Sequence, residues 1–383
     1  MILILIILFL AGILFLRSRN SKYNNLPSPG PNLPVIGHSY KFASITDDPI
    51  TGIWKIYKKY NKNGLLHVNI FSQNCVWVGD YDTIKYIFNQ PESLGRMTHN
   101  MSKFALPTRK VSGDVMPGVL MSDGQLWTQQ RRFTLKTLRD FGFGKQGMEE
   151  LIVEEAKQFK SLIEANMDKP FDFRHQLNLP ILNALWNVLV GERFEYDNPR
   201  LKDLISRLTE VFQLFGNPTQ GLLMSYPWLE KILPEKVFNW PYIKKCLMDV
   251  TDLMLENVVK HQETLDLNSP RDYIDMMLIE IENTTDKSSS FYGQLGIDNL
   301  KVTMFDLFLA GSETTSTTLT WAYLFMIRYP EVQEKVQQEL DQVVGTDRLP
   351  SCSDRPNLPY TEAVLMEVQR CGNITPLGVQ HYM

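Results

Sequence analysis

The chain has 383 residues, a formal net charge of −4, 44% hydrophobic residues and 21% charged residues. This composition is that of a globular protein and excludes wholesale disorder, and the weak negative charge argues against nucleic acid as a partner. The four cysteines, Cys75, Cys246, Cys352 and Cys371, are far apart in the sequence. They predict neither a metal site nor a disulfide framework, and they favour a reducing compartment.

The amino terminus is a run of 16 apolar residues followed by Arg17, Arg19 and Lys22. The run is slightly shorter than the roughly 20 residues that usually span a membrane. A cleaved signal peptide is the alternative, but it would carry its basic residues before the run and small residues at its end. We interpret residues 1–20 as an uncleaved membrane anchor, with the rest of the chain on the cytosolic side.

Residues 21–40 form a proline-rich hinge, because Pro27, Pro29, Pro31 and Pro34 exclude both a helix and a central strand. Periodicity then predicts local elements as far as residue 90. They are a helix over Thr51–Tyr60, strands over Leu66–Phe71 and Cys75–Gly79 joined by a turn at residues 72–74, and a helix over Asp82–Asn89. The segment from Pro91 to Pro117 is irregular, and a loop of that length is usually functional or mobile.

A helix over Gln125–Arg139 carries two polar faces. Trp127 and Arg131 are four residues apart and therefore stack on one side, where an indole N–H beside a guanidinium suits a carboxylate or phosphate oxygen. The other face is basic and is either a solvated surface or a binding surface; it carries Arg132, Lys136 and Arg139. Helix follows helix from Met148 to Lys260, and Phe212 and Phe215 are either core residues or part of a ligand-facing lid.

The longest predicted helix runs from Ile297 to about Tyr329, with Asp298 as its cap. Its centre reads Ala-Gly-Ser-Glu-Thr-Thr over residues 310–315. On a local interpretation the threonines bond back to helix carbonyls, the glycine admits a close neighbour and Glu313 finds water. On the other interpretation a flat ligand lies in a groove while Glu313 and Thr314 handle protons.

Two further helices are predicted over Glu331–Val344 and Tyr360–Arg370, before a strand-like segment at the end of the sequence. The second helix places Glu367 and Arg370 three residues apart, so their charges can pair. The pair is either exposed and weak, or buried and structural.

In this order the motifs resemble those of the cytochrome P-450 family of haem-thiolate monooxygenases, and most closely its microsomal family-two group. The resemblance covers nearly the whole chain and rests on the apolar anchor, the proline-rich hinge, Trp127-x-x-x-Arg131, Ala310-Gly311-x-Glu313-Thr314-Thr315 and Glu367-x-x-Arg370. It implies a mainly α fold with a small β region, which would occupy residues 41–383.

The resemblance also implies the site residues. Trp127 and Arg131 match the pair that holds a haem propionate, and Arg96 and His381 resemble further propionate contacts. Ala310 and Gly311 match the part of the long helix that lies against the porphyrin. Glu313 and Thr314 resemble the acid–alcohol pair that relays protons during dioxygen activation, and Glu367 and Arg370 resemble a buried structural pair. An apolar substrate pocket is expected from Phe212, Phe215, Phe305, Phe308 and Leu309.

The family's haem-ligand loop reads like Phe-x-x-Gly-x-Arg-x-Cys-x-Gly, and no such string occurs here. We therefore expect a chain truncated before its iron ligand, which in the family is a cysteine thiolate. The lineage implies an enzyme that oxygenates apolar substrates with electrons from NADPH through a flavoprotein reductase docked on the basic face of Arg132, in the endoplasmic reticulum membrane. The alternative is a haem-free, inactive membrane-bound isoform that acts as a decoy for the reductase.

Overall fold

The computed structural model describes residues 12, 23, 25–42, 49–71, 73–96, 116–144, 146–171, 176–215, 222–223, 225–234, 237 and 239–382. The predicted anchor lies outside the described residues except at position 12. Contacts group the chain into two compact units, one of residues 1–100, 214–239 and 380–383 and the other of residues 101–213 and 240–379. The predicted boundaries at residues 20 and 40 stay predictions.

The first unit contains helix α1 (Pro49–Tyr60), the antiparallel strands β1 (Leu65–Ile70) and β2 (Gln73–Val78), and helix α2 (Tyr81–Phe88). Leu66 and Val68 of β1 are fully buried and pack with Tyr57 of α1. The Asp80 carboxylate caps α2 by accepting the Thr83 N–H at 2.8 Å. These elements lie within two residues of their predicted bounds, although residues 73 and 74 belong to β2 and not to the turn.

A second, shorter pair of strands in this unit joins segments far apart in sequence. Strand β3 (Gly95–Arg96) follows a 3-10 turn over Pro91–Leu94 and pairs antiparallel with β4 (His381–Tyr382). The pairing places Arg96 directly opposite His381. Two predicted site residues are therefore neighbours although 285 positions separate them in the sequence.

The second unit is helical within its described part. Its helices are α3 (Gly124–Asp140), α4 (Gln146–Glu164), α5 (Asn178–Val190), α6 (Pro199–Phe215), α7 (Trp240–Thr264), α8 (Tyr273–Asn283), α9 (Gly293–Arg328), α10 (Pro330–Val343) and α11 (Pro359–Gly372). The 36-residue α9 contacts α5, α7, α8, α10 and α11, so it is the central element of this unit. With few strands beside these helices, the fold is mainly α, as predicted.

The predicted start of α9 was wrong by four residues. The helix begins at Gly293, and Asp298 lies inside it, where its carboxylate pairs with Lys301 at 2.8 Å and accepts from Gln294 at 3.1 Å. The chain before the helix is held instead by Asn299, whose amide donates to the Ser290 carbonyl at 2.9 Å. In a sequence, an acidic residue near the start of a helix looks like a cap. Asp298 is instead inside the helix, and its carboxylate contacts other side chains of the same helix.

Among the helices that the structure describes, none combines the length and the apolar character needed to cross a membrane.

Candidate functional site

The predicted Trp127–Arg131 stack is present on α3. The Arg131 guanidinium carbon lies 5.3 Å from the centroid of the Trp127 ring. Within the described part of the chain Arg131 is exposed and forms no ion pair, so its donors remain available to an acid. The side of α3 next to this pair is buried, where the Thr134 hydroxyl lies 3.0 Å from the Tyr273 hydroxyl and the Gln130 amide donates to Ser290 at 2.9 Å. The Trp127–Arg131 pair therefore lies at the edge of the buried face of α3, with Trp127 half-buried and Arg131 exposed.

The predicted basic face of α3 is also exposed. Arg132, Lys136 and Arg139 all lie on the solvent side of the helix. They are not engaged by a carboxylate in the described ranges, so the positive charge is free to meet an acidic surface. The docking of a flavoprotein reductase on this basic face stays a prediction.

Arg96 and His381 form a contact within the first unit. The His381 Nδ1 lies 2.6 Å from the Ser93 carbonyl and 2.9 Å from the Arg96 guanidinium. One ring nitrogen cannot serve both partners, because the carbonyl needs a donor and the guanidinium needs an acceptor. We assign the Nδ1 proton to the closer Ser93 carbonyl, which leaves Nε2 to accept from Arg96 at 3.4 Å. The predicted haem contact of both residues stays a prediction.

The centre of α9 combines features of both interpretations of its sequence. The Thr314 hydroxyl donates to the Ala310 carbonyl at 2.6 Å, as the local interpretation predicts. A Cβ on Gly311 would lie 2.8 Å from the Leu185 Cδ2, so the glycine admits α5 at close range. Ala310 is exposed and Thr314 is half-buried one turn later, so this side of the helix is open to a ligand.

Glu313 is held by two residues that sequence analysis did not find. Its Oε2 accepts the Thr209 hydroxyl of α6 at 3.2 Å and the Asn178 amide of α5 at 3.4 Å. The partners lie 104 and 135 positions away in sequence, and no local pattern indicates either contact. Glu313 is therefore a fixed, half-buried carboxylate and not a freely rotating surface acid.

The residues predicted to line a pocket divide into two groups. Phe308 is fully buried and packs edge to face on Trp186 of α5, with ring centroids 5.8 Å apart, and Phe305 is buried at 3% exposure. Both lie in the helix core, so the structure does not place them on an open surface. Leu309 is half-buried and Phe212 is 37% exposed, whereas the Phe215 side chain lies outside the described residues.

The Glu367–Arg370 pair forms, but the prediction that it is buried was wrong for this chain. Two hydrogen bonds of 2.6 and 2.7 Å join the guanidinium to the carboxylate. The side chains are nonetheless 71% exposed for Arg370 and 59% exposed for Glu367. The reason is the orientation of α11, which buries the opposite side of the helix at Val368.

A buried polar cluster joins α7 to α8. His261 Nδ1 lies 2.8 Å from the Asn257 carbonyl and Nε2 lies 2.8 Å from the Asp272 carboxylate, so both nitrogens face acceptors. Burial lowers the pKa of His261, but the hydrogen bond and charge of Asp272 and the Asn257 carbonyl outweigh it, and the pKa is raised. His261, Asp272 and Asp275 have the residue types of a metal site. Arg271 already binds Asp275 at 2.6 and 2.8 Å, however, so we interpret the cluster as a network of ion pairs.

Comparison with known proteins identifies the family. A sequence model described as "Cytochrome P-450" matches residues 27–383. The chain is 36% identical over 380 residues to cytochrome P-450 2J5 of Mus musculus, covering 97% of this chain and 71% of that protein. It is 37% identical over 377 residues to cytochrome P-450 2J2 of Homo sapiens, with 97% and 70% covered. The chain therefore belongs to the cytochrome P-450 family, which is a family of haem monooxygenases.

Two residues have donor groups of the kind that a haem propionate needs. Arg131 has no ion pair among the described residues, and Trp127 carries an indole donor beside it. The iron ligand is not assigned. Burial raises the pKa of the Cys246 thiol to about 11 and also raises that of Cys75, so neither favours the thiolate form. Cys352 and Cys371 are exposed and lie outside the family's ligand string.

Proposed function

We propose that this chain is the monooxygenase body of a microsomal cytochrome P-450 similar to the family-two enzymes. It would insert one atom of O2 into an apolar organic substrate, with electrons from NADPH delivered by a flavoprotein reductase. The observation that supports this most directly is the half-buried Glu313 carboxylate next to Thr314 on the longest helix. A fixed acid beside an alcohol is the arrangement that directed proton transfer requires.

Each residue would have one task. Trp127 and Arg131 would hold a propionate, and Arg96 and His381 are proposed as further propionate contacts. The haem, when bound, would supply dioxygen activation and electron transfer. Glu313 would accept and release a proton at Oε1, the oxygen that receives no hydrogen bond from the described residues.

Thr314 would act next to this carboxylate. Its hydroxyl now donates to the Ala310 carbonyl, and rotation about the Cα–Cβ bond would turn the proton toward the open side of α9. Ala310 and Gly311 would leave room on that side for a flat ligand, because neither carries a long side chain. We propose that Phe212 and Leu309 contact the apolar substrate.

We also propose a protein partner and a membrane location for the enzyme. The exposed basic face of Arg132, Lys136 and Arg139 would bind the acidic surface of the reductase. Such steering by charge weakens with salt, so electron transfer from the reductase should slow as ionic strength rises. The apolar run at the amino terminus would anchor the protein in the endoplasmic reticulum membrane.

A second candidate function is a haem-free, inactive form that binds the reductase as a decoy. Cys246 is compatible with such a form, since it is fully buried in α7 and burial raises the pKa of its thiol. Such a form would keep the basic face of α3 and lose oxygenation.

Haem titration of the full chain tests both candidates. The monooxygenase proposal predicts a Soret band on haem addition and a shifted band after reduction under carbon monoxide. Arg131→Ala should weaken haem binding, whereas Arg132→Ala, which removes a neighbouring exposed arginine, should not. Equal haem retention in the two variants would exclude the propionate role of Arg131. No Soret band in the unmodified chain would favour the decoy.

A further inference from the structure

We infer that Thr209 on α6, assisted by Asn178 on α5, is a positioning residue that sets the orientation and the proton exchange of Glu313. The inference rests on the proposed function, because it assigns a task to the residues around its proton relay. It concerns two side chains that no sequence motif indicates, and it follows from how the three groups meet.

Both donors reach the same oxygen of Glu313. The Thr209 hydroxyl lies 3.2 Å and the Asn178 amide nitrogen 3.4 Å from Oε2. Because Oε2 receives both, the carboxylate plane is fixed from one side and Oε1 points away from these donors. Two converging donors therefore do more than satisfy a polar group: they decide which oxygen of Glu313 is available for proton transfer.

The hydroxyl of Thr209 has two acceptors within equal reach. Its Oγ1 lies 3.2 Å from the Glu313 carboxylate and 3.2 Å from the Ile205 carbonyl one turn earlier in α6. A charged acceptor forms the stronger bond, so the proton is directed to Glu313 while that group is ionised. When Glu313 carries a proton on Oε1, its Oε2 is a weaker, uncharged acceptor, and the Thr209 proton can turn to the Ile205 carbonyl. Thr209 can thus keep a hydrogen bond in both protonation states of Glu313.

Asn178 cannot exchange roles in this way through its amide nitrogen, which only donates. The amide is 3% exposed and comes from the first turn of α5, so it is a fixed donor. It holds Oε2 from one fixed direction, while the hydroxyl of Thr209 can turn between two acceptors. The two partners therefore have different effects, and substitution of each should have a different consequence.

Ion pairs link α6, which carries Thr209, to α7. Arg200 binds Glu256 of α7 through two hydrogen bonds of 2.7 and 2.8 Å, and Arg207 binds both Asp203 and Asp249. Arg207 is two residues from Thr209, so the helix turn that carries the hydroxyl is tied to α7. The buried neighbours Leu208 and Val211 hold the same turn of α6 in the core, so Thr209 approaches Glu313 from a packed helix.

Two measurements test the inference, with Thr209→Val as the isosteric loss of the hydroxyl and Thr209→Ser as the variant that keeps it. Ser206→Ala, which removes an exposed hydroxyl from the same helix, is the matched control. In the haem-loaded enzyme, Thr209→Val should raise the peroxide released per product severalfold and lower kcat with little change in KM. Thr209→Ser should restore the unmodified ratio, and Ser206→Ala should leave it unchanged.

The second measurement needs no haem. Melting temperatures are compared for Thr209→Val, Glu313→Gln and the double variant, and the two shifts should fail to add because the residues share a hydrogen bond. Additive shifts would overturn the contact, and unchanged peroxide release in Thr209→Val would overturn its role in positioning. A chain without a Soret band would refute the proposed function instead, and the melting temperatures alone would then decide whether Thr209 holds Glu313.

Discussion

Replacing His261 by Gln should destabilise the second unit by about 3 kcal/mol at pH 6. The side chains of His261 and Asp272 are 7% and 2% exposed, so their hydrogen bond is that of a buried pair. Removing one partner of such a pair costs about 3–5 kcal/mol when the other charge is stranded. Here Asp272 also accepts the Asp275 N–H at 3.0 Å at the start of α8, and Gln can donate one bond, so the lower part of the range applies.

The loss of stability caused by His261→Gln should depend on pH, and it should be larger at pH 6 than at pH 8. The pKa of His261 is raised in the folded protein, against the effect of burial, by Asp272, Asn257 and Asp275. A raised pKa means that the stabilisation is complete below the unfolded value of about 6.5 and is lost as pH rises through the folded value. The free energy of unfolding contributed by this one group should fall by at most about 1.4 kcal/mol per pH unit in that window.

Urea unfolding followed by circular dichroism at pH 6 and at pH 8 measures both quantities. The difference between the unmodified chain and His261→Gln should be larger at pH 6. Lys260→Gln, which removes an exposed cation from the same turn of α7, is the control and should show no comparable pH dependence. A difference that is equal at both pH values, or larger at pH 8, would show that His261 is not a buried cation.

Three further predictions concern other elements. Asp306→Ala should destabilise the chain by about 2–4 kcal/mol in urea unfolding, because its buried carboxylate accepts the Val119 and Leu120 N–H groups at 2.9 and 3.0 Å; Asp306→Asn, which keeps one acceptor, should cost less. Arg370→Ala should leave the melting temperature unchanged, since its pair is exposed, and a clear loss would indicate a buried role. Thr314→Val should raise the peroxide released per product in the haem-loaded enzyme, and unchanged release would remove Thr314 from the relay.

Most helices could be predicted from the sequence because each has a local cause. Pro330 and Pro359 stand at the first positions of α10 and α11, and the apolar spacing of α3 fixed both of its ends within a residue. The stack of Trp127 on Arg131 also follows from spacing alone, because residues four apart on a helix are neighbours. These features need no knowledge of the remaining chain.

Tertiary contacts could not be predicted in the same way. The sequence does not decide whether Glu313 contacts only water or transfers a proton, because Thr209 and Asn178 come from other helices and neither belongs to a motif. The resemblance predicts that Phe308 lines a pocket. Whether an aromatic residue of α9 contacts a ligand or Trp186 depends, however, on how α5 crosses α9. The exposure of Arg370 likewise depends on which side of α11 the other helices cover.

The burial of α9 changes along its length, and this has a consequence for its dynamics. Every buried residue of the helix lies between Gly296 and Ser316, and none lies in the last twelve positions. Amide hydrogens in the first part should therefore exchange with solvent only on global unfolding, whereas those from residue 317 onward should exchange through local opening. Glu313 and Thr314 lie at the border between the two regimes, where a rigid support meets a segment that can open.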